Sequence, residues 1–459
     1  MLKRMRSFLV AAMLMVIATV SAQVTTSSMS GKVTAQDEPI IGATVVAIHE
    51  PSGTRYGTVT NISGQFNLQG MRTGGPYKVE VSYVGYQTAI YKGVNLSLGE
   101  VYTLNVVLKE SSELLDEVIV TAQKTVEKMG TVTNVSERQL TTLPTINRSI
   151  TDFTKLSPYA GGSNSFAGRD GRYNTITVDG AASSSSAASD VYKRQPYSVT
   201  YSNFTGASIN AVTKSGTNEL KGTVYTYQKP KNFIGKSIND VDVPNVESYK
   251  SSLYGFTLGA PIIKNKLFFF VNGELENSTS PGILWTPSQE EGGSGDNQNH
   301  ISRTWIKDLK TISDFVKDKY GYDPGSYDKF DDFESKNWKL MARLDWNINK
   351  SHKLSLRFNT VKSENDASIS STSSVITKAN SNRYGVDAFA FGNSNYGFRN
   401  IVTSLSGELN SNFSSSVQNK LLVTYTHIRD SRTTKGDAFP MVDIYTVSYT
   451  HLTLPTKRI

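Results

Sequence analysis

A mainly β fold in several domains, ending in an antiparallel membrane β-barrel, is predicted by three observations. Tyrosine (23) and phenylalanine (19) are abundant while charged residues make up only 19% of the 459-residue chain, a balance suited to strands with aromatic girdles rather than to a helical enzyme. Alternating runs broken by Gly, Pro, Asn and Asp fill residues 28–108, and longer alternating segments fill the chain from 221 onward. Beyond its first 22 residues the chain has no stretch long and apolar enough to span a bilayer as a helix, so insertion must be by strands. A chain of this length has room for about two to four domains.

The first element is a secretory signal peptide, residues 1–22. Lys3, Arg4 and Arg6 precede an apolar run from Phe8 to Val20, and the small residues Ser21 and Ala22 precede Gln23, which places the cut between Ala22 and Gln23. The run falls short of the ~20 apolar residues of a spanning helix. The chain has no cysteine to carry a lipid or a disulfide. Its net charge of +8 is spread among serines, asparagines and tyrosines without a basic block, so nucleic acid is not an expected partner.

Residues 24–110 read as a β-sandwich, with strands expected at 28–33, 44–49, 55–60, 65–68, 77–83 and 102–108. Three stretches carry a resemblance: Gly42-Ala43-Thr44-Val45-Val46, then Gly57 through Phe66 (GTVTNISGQF), then Val81-Ser82-Tyr83-Val84-Gly85-Tyr86. They resemble the carboxypeptidase regulatory-like domain, the non-catalytic Ig/transthyretin-like module of those enzymes. Its glycines are assigned to turns, above all at 61–64, where the chain must reverse tightly.

A linker, residues 111–123, follows. Its β-branched run can add itself as a strand to the sheet edge of another protein. Asp116, Glu117, Val118, Ile119, Val120, Thr121 and Ala122 resemble a TonB box, the handle by which TonB-dependent outer-membrane receptors contact a TonB-type energy transducer. The alternative is an ordinary first strand of the next domain.

Residues 124–220 resemble the α+β plug of those receptors. The motifs are Val132-Thr133-Asn134-Val135, Leu140 through Pro144, Asp152 through Pro158, Gly168 through Arg172, Ile176-Thr177-Val178-Asp179-Gly180 and Phe204 through Asn218. The pattern is similar to the Oar-like branch of Bacteroidetes; the starch-utilisation branch shows a Gly-Tyr-Gly stretch after its box, where Gln123-Lys124-Thr125 stands here. Arg169, Asp170 and Arg172 are candidates for a salt-bridge lock between plug and barrel wall, or for a polar face toward ligand; the lock is favoured because a plug must pack reversibly in a polar lumen. One stretch is foreign to the pattern. Asp190-Val191-Tyr192-Lys193-Arg194-Gln195 and Val447-Ser448-Tyr449-Thr450-His451 can be encoded by one DNA sequence read in opposite orientations, resembling a transposase end used in sequencing libraries. Residues 190–195 and 447–459 are therefore read as sequencing-adapter artefacts, the first join as removing part of the plug between Gly180 and Pro196 and the second as truncating the chain.

From 221 to 446 the alternation suits the first part of a barrel, with strands at 222–229, 253–260, 266–276, 338–348, 353–360, 402–410 and 419–429. Leu340, Ala342, Leu344, Trp346 and Ile348 fall on one face and Met341, Arg343, Asp345 and Asn347 on the other, the period of a strand between lipid and lumen. Residues 277–336 and 363–400 suit extracellular loops, with helical spacing at 305–320. Such a fragment is expected to leave an open or distorted sheet.

Enzyme chemistry has no foothold. The histidines at 49, 300, 352, 427 and 451 form no zinc-binding pair, and no nucleophile elbow or phosphate loop occurs. Asp331, Asp332 and Glu334 read as a solvated loop rather than a calcium site. No metal or cofactor is expected. The resemblance implies a receptor of the Gram-negative cell outer membrane, in contact with outer-membrane lipid, importing a small-molecule, glycan or peptide ligand with energy from the inner-membrane proton gradient. A surface adhesion or structural protein is the alternative.

Overall fold

The computed structural model describes residues 25–110, 118–121, 133–135, 137–142, 150–161, 165–166, 168, 174–179, 181–182, 191–195, 208–233, 235, 237–239, 241–242, 249–369, 383–414 and 417–444. The expected signal peptide, with its cut between Ala22 and Gln23, lies outside them, as does 447–459.

The N-terminal unit is a sandwich of two sheets. Strands β1 (Ser27–Ala35), β2 (Glu38–Pro39) and β5 (Gln65–Met71) form one, joined by β8 (Val101–Thr103) and β9 (Val106–Val107), which run parallel to β1. β3 (Thr44–His49), β4 (Thr54–Val59), β6 (Gly74–Ser82) and β7 (Ala89–Leu96) form the second, with β10 (Val118–Thr121) on its edge in the order β10-β7-β6-β3-β4. Alternate residues point inward, so Met29, Val33, Val45, Ala47, Phe66, Leu68, Tyr77, Val79 and Val81 fill one buried core. The turn at 61–64 closes as expected. Asn61 Oδ1 accepts from the amides of Ser63 (3.0 Å) and Gln65 (2.9 Å), and Gly64 has φ +71°, where a Cβ would meet the Val33 carbonyl oxygen at 2.6 Å.

His49 sits inside this sandwich, with Nδ1 2.7 Å from Ser52 Oγ and its ring 5.0 Å from that of Tyr77. Burial, and then the positive charge of Arg72, push its pKa down to about 3. The unfolded chain takes up a proton near pH 6.5 that the folded sandwich refuses, so stability is full above 6.5 and falls as pH drops from there toward 3. Thermal unfolding followed by circular dichroism is expected to lose about 2 kcal/mol between pH 6.5 and 5, from 1.36 kcal/mol per unit. In His49→Gln that pH dependence should flatten.

The second unit is small and mixed. β11 (Thr133–Val135), β12 (Thr175–Val178), β13 (Ala181–Ala182), β14 (Val191–Gln195) and β15 (Ser208–Val212) form a sheet in the order β11-β14-β15-β12-β13, with short helices α1 (Glu137–Thr142) and α2 (Ile150–Thr154). Val135, Val178, Ile209 and Ala211 form its core. Part of the stretch read as foreign thus forms β14, paired with β11 and β15 through backbone groups that almost any residue supplies.

The third unit is one antiparallel sheet of long strands: β16 (Lys221–Lys229), β19 (Lys250–Ile263), β20 (Leu267–Ser280), β23 (Phe333–Asn347), β24 (His352–Ala367), β25 (Tyr396–Asn412) and β26 (Gln418–Thr434), each paired with the next. The small pairs β17 (Ser237–Ile238) with β18 (Val241–Asp242), and β21 (Thr286–Ser288) with β22 (Ile301–Trp305), belong to connections at the wide-loop end. α3 (Ile306–Tyr320) occupies the helical stretch expected there, and Gly321 ends it with φ +67°. Among the described residues the sheet is open, with β16 and β26 at its edges.

Its two faces differ in chemistry. Phe268, Phe270, Asn272, Glu274, Met341, Arg343, Asp345, Arg357, Asn359, Ser404, Ser406 and Glu408 are buried on one side. Tyr254, Phe256, Leu275, Trp338, Trp346, Leu356, Leu405, Val423 and Tyr425 are exposed on the other. Trp338 and Trp346 lie on one face of β23, with Leu340, Ala342 and Leu344 between them. Eight residues span about 26 Å along a strand, or about 20 Å of height at a tilt of ~40°, close to the apolar band that aromatic girdles bracket in outer-membrane barrels.

Candidate functional site

Two features were expected to carry function, a coupling strand and a plug lock. Of the coupling strand, Val118, Ile119, Val120 and Thr121 form β10, while Asp116, Glu117 and Ala122 lie outside the described residues. β10 runs parallel to β7 with Val118 opposite Ala89, Ile119 opposite Ile90, Val120 opposite Tyr91 and Thr121 opposite Lys92. The extended conformation expected of a strand-adding segment is therefore present, and it is satisfied within the chain.

The predicted lock residues Arg169, Asp170 and Arg172 also lie outside the described residues. A different buried charge cluster joins the second unit to the sheet. Asp179 follows β12 with φ +50°, which turns its carboxylate back onto Thr213: Oδ1 accepts from the Thr213 amide (3.1 Å) and Oδ2 from its hydroxyl (2.6 Å). From the sheet, Arg343 Nη1 donates to the Thr213 carbonyl (2.7 Å) and stands 3.9 Å from Asp179 Oδ1, while Arg357 Nε stands 3.6 Å from the same oxygen. Both arginines are anchored on the sheet. Arg343 forks onto Asp345 through Nε (2.8 Å) and Nη2 (3.0 Å), and Arg357 Nη1 donates to Glu408 (2.9 Å).

The sandwich completes the cluster. Arg72 Nη2 lies 3.8 Å from Asp345, and the Thr25 hydroxyl donates to Glu408 (2.6 Å). Lys420 Nζ donates to Thr25 Oγ1 (2.6 Å) and lies 3.7 Å from Glu408. Asp179, Arg343, Asp345, Arg357 and Glu408 are each no more than 7% exposed. The unevenness of this cluster is informative. Arg343, Asp345 and Glu408 are well bonded, whereas Arg357 Nε, beyond hydrogen-bond reach of Asp179, lacks a hydrogen-bond partner among the described residues. The sheet-internal pairs are tight, and the contacts from Arg343 and Arg357 to Asp179 are long.

In the sequence Asp179 stands out only as part of the motif at 176–180, and Arg343 and Asp345 only as the polar face of a strand. The available signal was two inward charges two residues apart on an otherwise apolar-alternating strand. Their partners Arg357 and Glu408 come from other strands and could not be paired by spacing.

No group of three or more histidine, cysteine or acidic side chains capable of holding a metal occurs among the described residues.

Comparison with known proteins agrees with this architecture. Residues 28–109 match the carboxypeptidase regulatory-like domain, and residues 212–455 match the outer membrane beta barrel domain, a match that runs into the stretch 447–459. The chain is 36% identical over 91 residues to the TonB-dependent receptor SusC of Bacteroides thetaiotaomicron, covering 20% of this chain and 8% of that protein. It is 29% identical over 167 residues to the TonB-dependent transporter Oar of Myxococcus xanthus, covering 34% and 14%. Among solved structures it is similar to the siderophore receptor PirA from Acinetobacter baumannii (TM-score 0.40, 16% identity, 68% of this chain and 42% of that one) and the outer membrane transporter YddB from Escherichia coli (TM-score 0.44, 11% identity, 66% and 39%). The alignments thus span a minor part of each relative. With more than half of its length matched by the outer membrane beta barrel domain, behind a carboxypeptidase regulatory-like domain, the chain belongs to the outer membrane β-barrel family.

Proposed function

We propose that the chain is the N-terminal part of an energy-coupled importer, in which a TonB-type transducer captures the strand around Asp116–Ala122 and its pull frees the plug from the barrel wall. The observation that supports this most is the long contact of Asp179 with Arg343 and Arg357. A plug glued by apolar packing would have to expose that surface each time it moved, whereas Asp179 gives up only contacts longer than a hydrogen bond with the two arginines and regains water as it leaves, while each arginine keeps a carboxylate of its own. The wall keeps its own pairs, Arg343 with Asp345 and Arg357 with Glu408, when Asp179 leaves. The lock can therefore open without stranding a charge on the wall. The ligand is a small molecule, glycan or peptide held by the extracellular connections, and the energy comes from the inner-membrane proton gradient.

Deleting residues 116–122 is expected to abolish energy-dependent accumulation of ligand by cells while leaving ligand binding at the surface unchanged. Equal accumulation with and without the deletion, alongside intact surface attachment, would establish the adhesion reading instead.

A further inference from the structure

We infer that the edge of β7 is a resting dock for the coupling strand, so that the sandwich holds the box until the transducer takes it. The inference rests on the reading of Asp116–Ala122 as the box and adds what controls it. β7 is the last strand of its sheet apart from β10, and a strand edge left bare is a standing invitation to pair with foreign chains. Residues Val118–Thr121 cover that edge in continuous parallel register. Between the end of the sandwich and β10 lie residues 111–117, and at the near end the chain is already beside β7's approach: Gln87 donates its amide to the Lys109 carbonyl (2.8 Å), and Tyr86 bridges Glu110. The linker leaves the sandwich next to the edge that its continuation occupies.

The second observation is the path that a pull would take. The sandwich is pinned to the barrel end: Asn218 donates its amide to the Pro51 carbonyl (2.8 Å), Asn347 Nδ2 donates to Thr54 Oγ1 (3.0 Å), and the Lys353 ammonium sits 4.2 Å from the centre of the Tyr56 ring. Arg72 and Thr25 reach Asp345 and Glu408 directly. A load applied to the box while it is docked therefore runs through the β7 ladder into the sandwich and on to the barrel wall. Only after β10 has peeled from β7 does the load run forward along the chain to the plug and Asp179. Docking thus prevents a weakly held transducer from opening the channel, and release of the box is a step that precedes unlocking.

The chain has no cysteine, so introduced ones report without background. Opposed residues on paired strands fall within the Cα separation that a disulfide tolerates, and Thr121→Cys with Lys92→Cys is the register pair. Thr121→Cys with Val59→Cys, on β4 at the far edge of the same sheet, is the control. In outer membranes carrying the full chain, mild oxidation is expected to form the register disulfide and not the control. Adding the purified C-terminal domain of a TonB-type transducer before oxidation should abolish it. A Val120→Cys single variant, crosslinked to the same transducer domain, tests the box independently. If Val120→Cys captures the transducer but the register pair oxidises no better than the control, or oxidises equally with transducer present, the resting dock is wrong and the box stands. If Val120→Cys captures nothing, the box reading falls and the dock with it.

Discussion

Arg343→Met is expected to destabilise the folded receptor by about 3–5 kcal/mol, the usual consequence of removing one partner from a buried ion pair. Arg343 donates to both carboxylate oxygens of Asp345 and to the Thr213 carbonyl, and it is one of two cations facing Asp179. Its loss leaves Asp345 with Ser355 Oγ at 2.6 Å and Arg72 at 3.8 Å, too little to solvate a carboxylate that is 1% exposed. The size of the effect comes from the stranded charge rather than from the lost contact. Arg343→Met combined with Asp345→Leu should therefore recover much of the loss, although Asp179 would remain underpaired. Urea titration of receptor folded into lipid vesicles measures both. A single variant within about 0.5 kcal/mol of the parent would show that the cluster is open to water, because only exposed pairs are worth so little.

Ala342→Arg is the second large effect, and it tests which face of the sheet meets lipid. Ala342 lies midway between Trp338 and Trp346, opposite Val271 and Phe358, with Met341 and Arg343 turned to the buried side. An arginine at the midplane of the lipid face costs about 2–4 kcal/mol, and the cost fades toward the interfaces. The same urea titration should show that loss for Ala342→Arg and a much smaller one for Trp346→Arg at the rim. An arginine at 342 that costs nothing would place this face in water and remove the membrane assignment of β23.

Legibility in the sequence varied with how local the physics is. The sandwich strands at 44–49 and 65–68 were readable because their inward and outward residues alternate, and the turn at 61–64 because its Asn and Gly have conformational reasons to be there. β7 was missed. Its Ala89 and Ile90 are buried in succession, Gly93 adopts φ +75°, and the pairing with β6 shifts register nearby, so the two-residue period is broken where the strand bends. The barrel strands run longer than their alternation predicts: it gives 402–410 for β25, which runs over Tyr396–Asn412. Apolar alternation ends where lipid ends, whereas backbone pairing continues beyond it toward the loops.

What the sequence determined by itself is the order of the sandwich and the barrel strands and the two-faced character of those strands, because turn residues and alternation are encoded within a few neighbouring positions. It also placed Arg343 and Asp345 on the polar side of β23. Only the tertiary structure decided that Asp179, Arg357 and Glu408 meet them, that Arg72 and Thr25 of the sandwich join the same cluster, and that Val118–Thr121 lies on β7. These contacts link residues separated by up to hundreds of positions. Such partners are chosen by strand order and register, which arise from the summed pairing of the whole sheet and leave no mark in the spacing of any one segment.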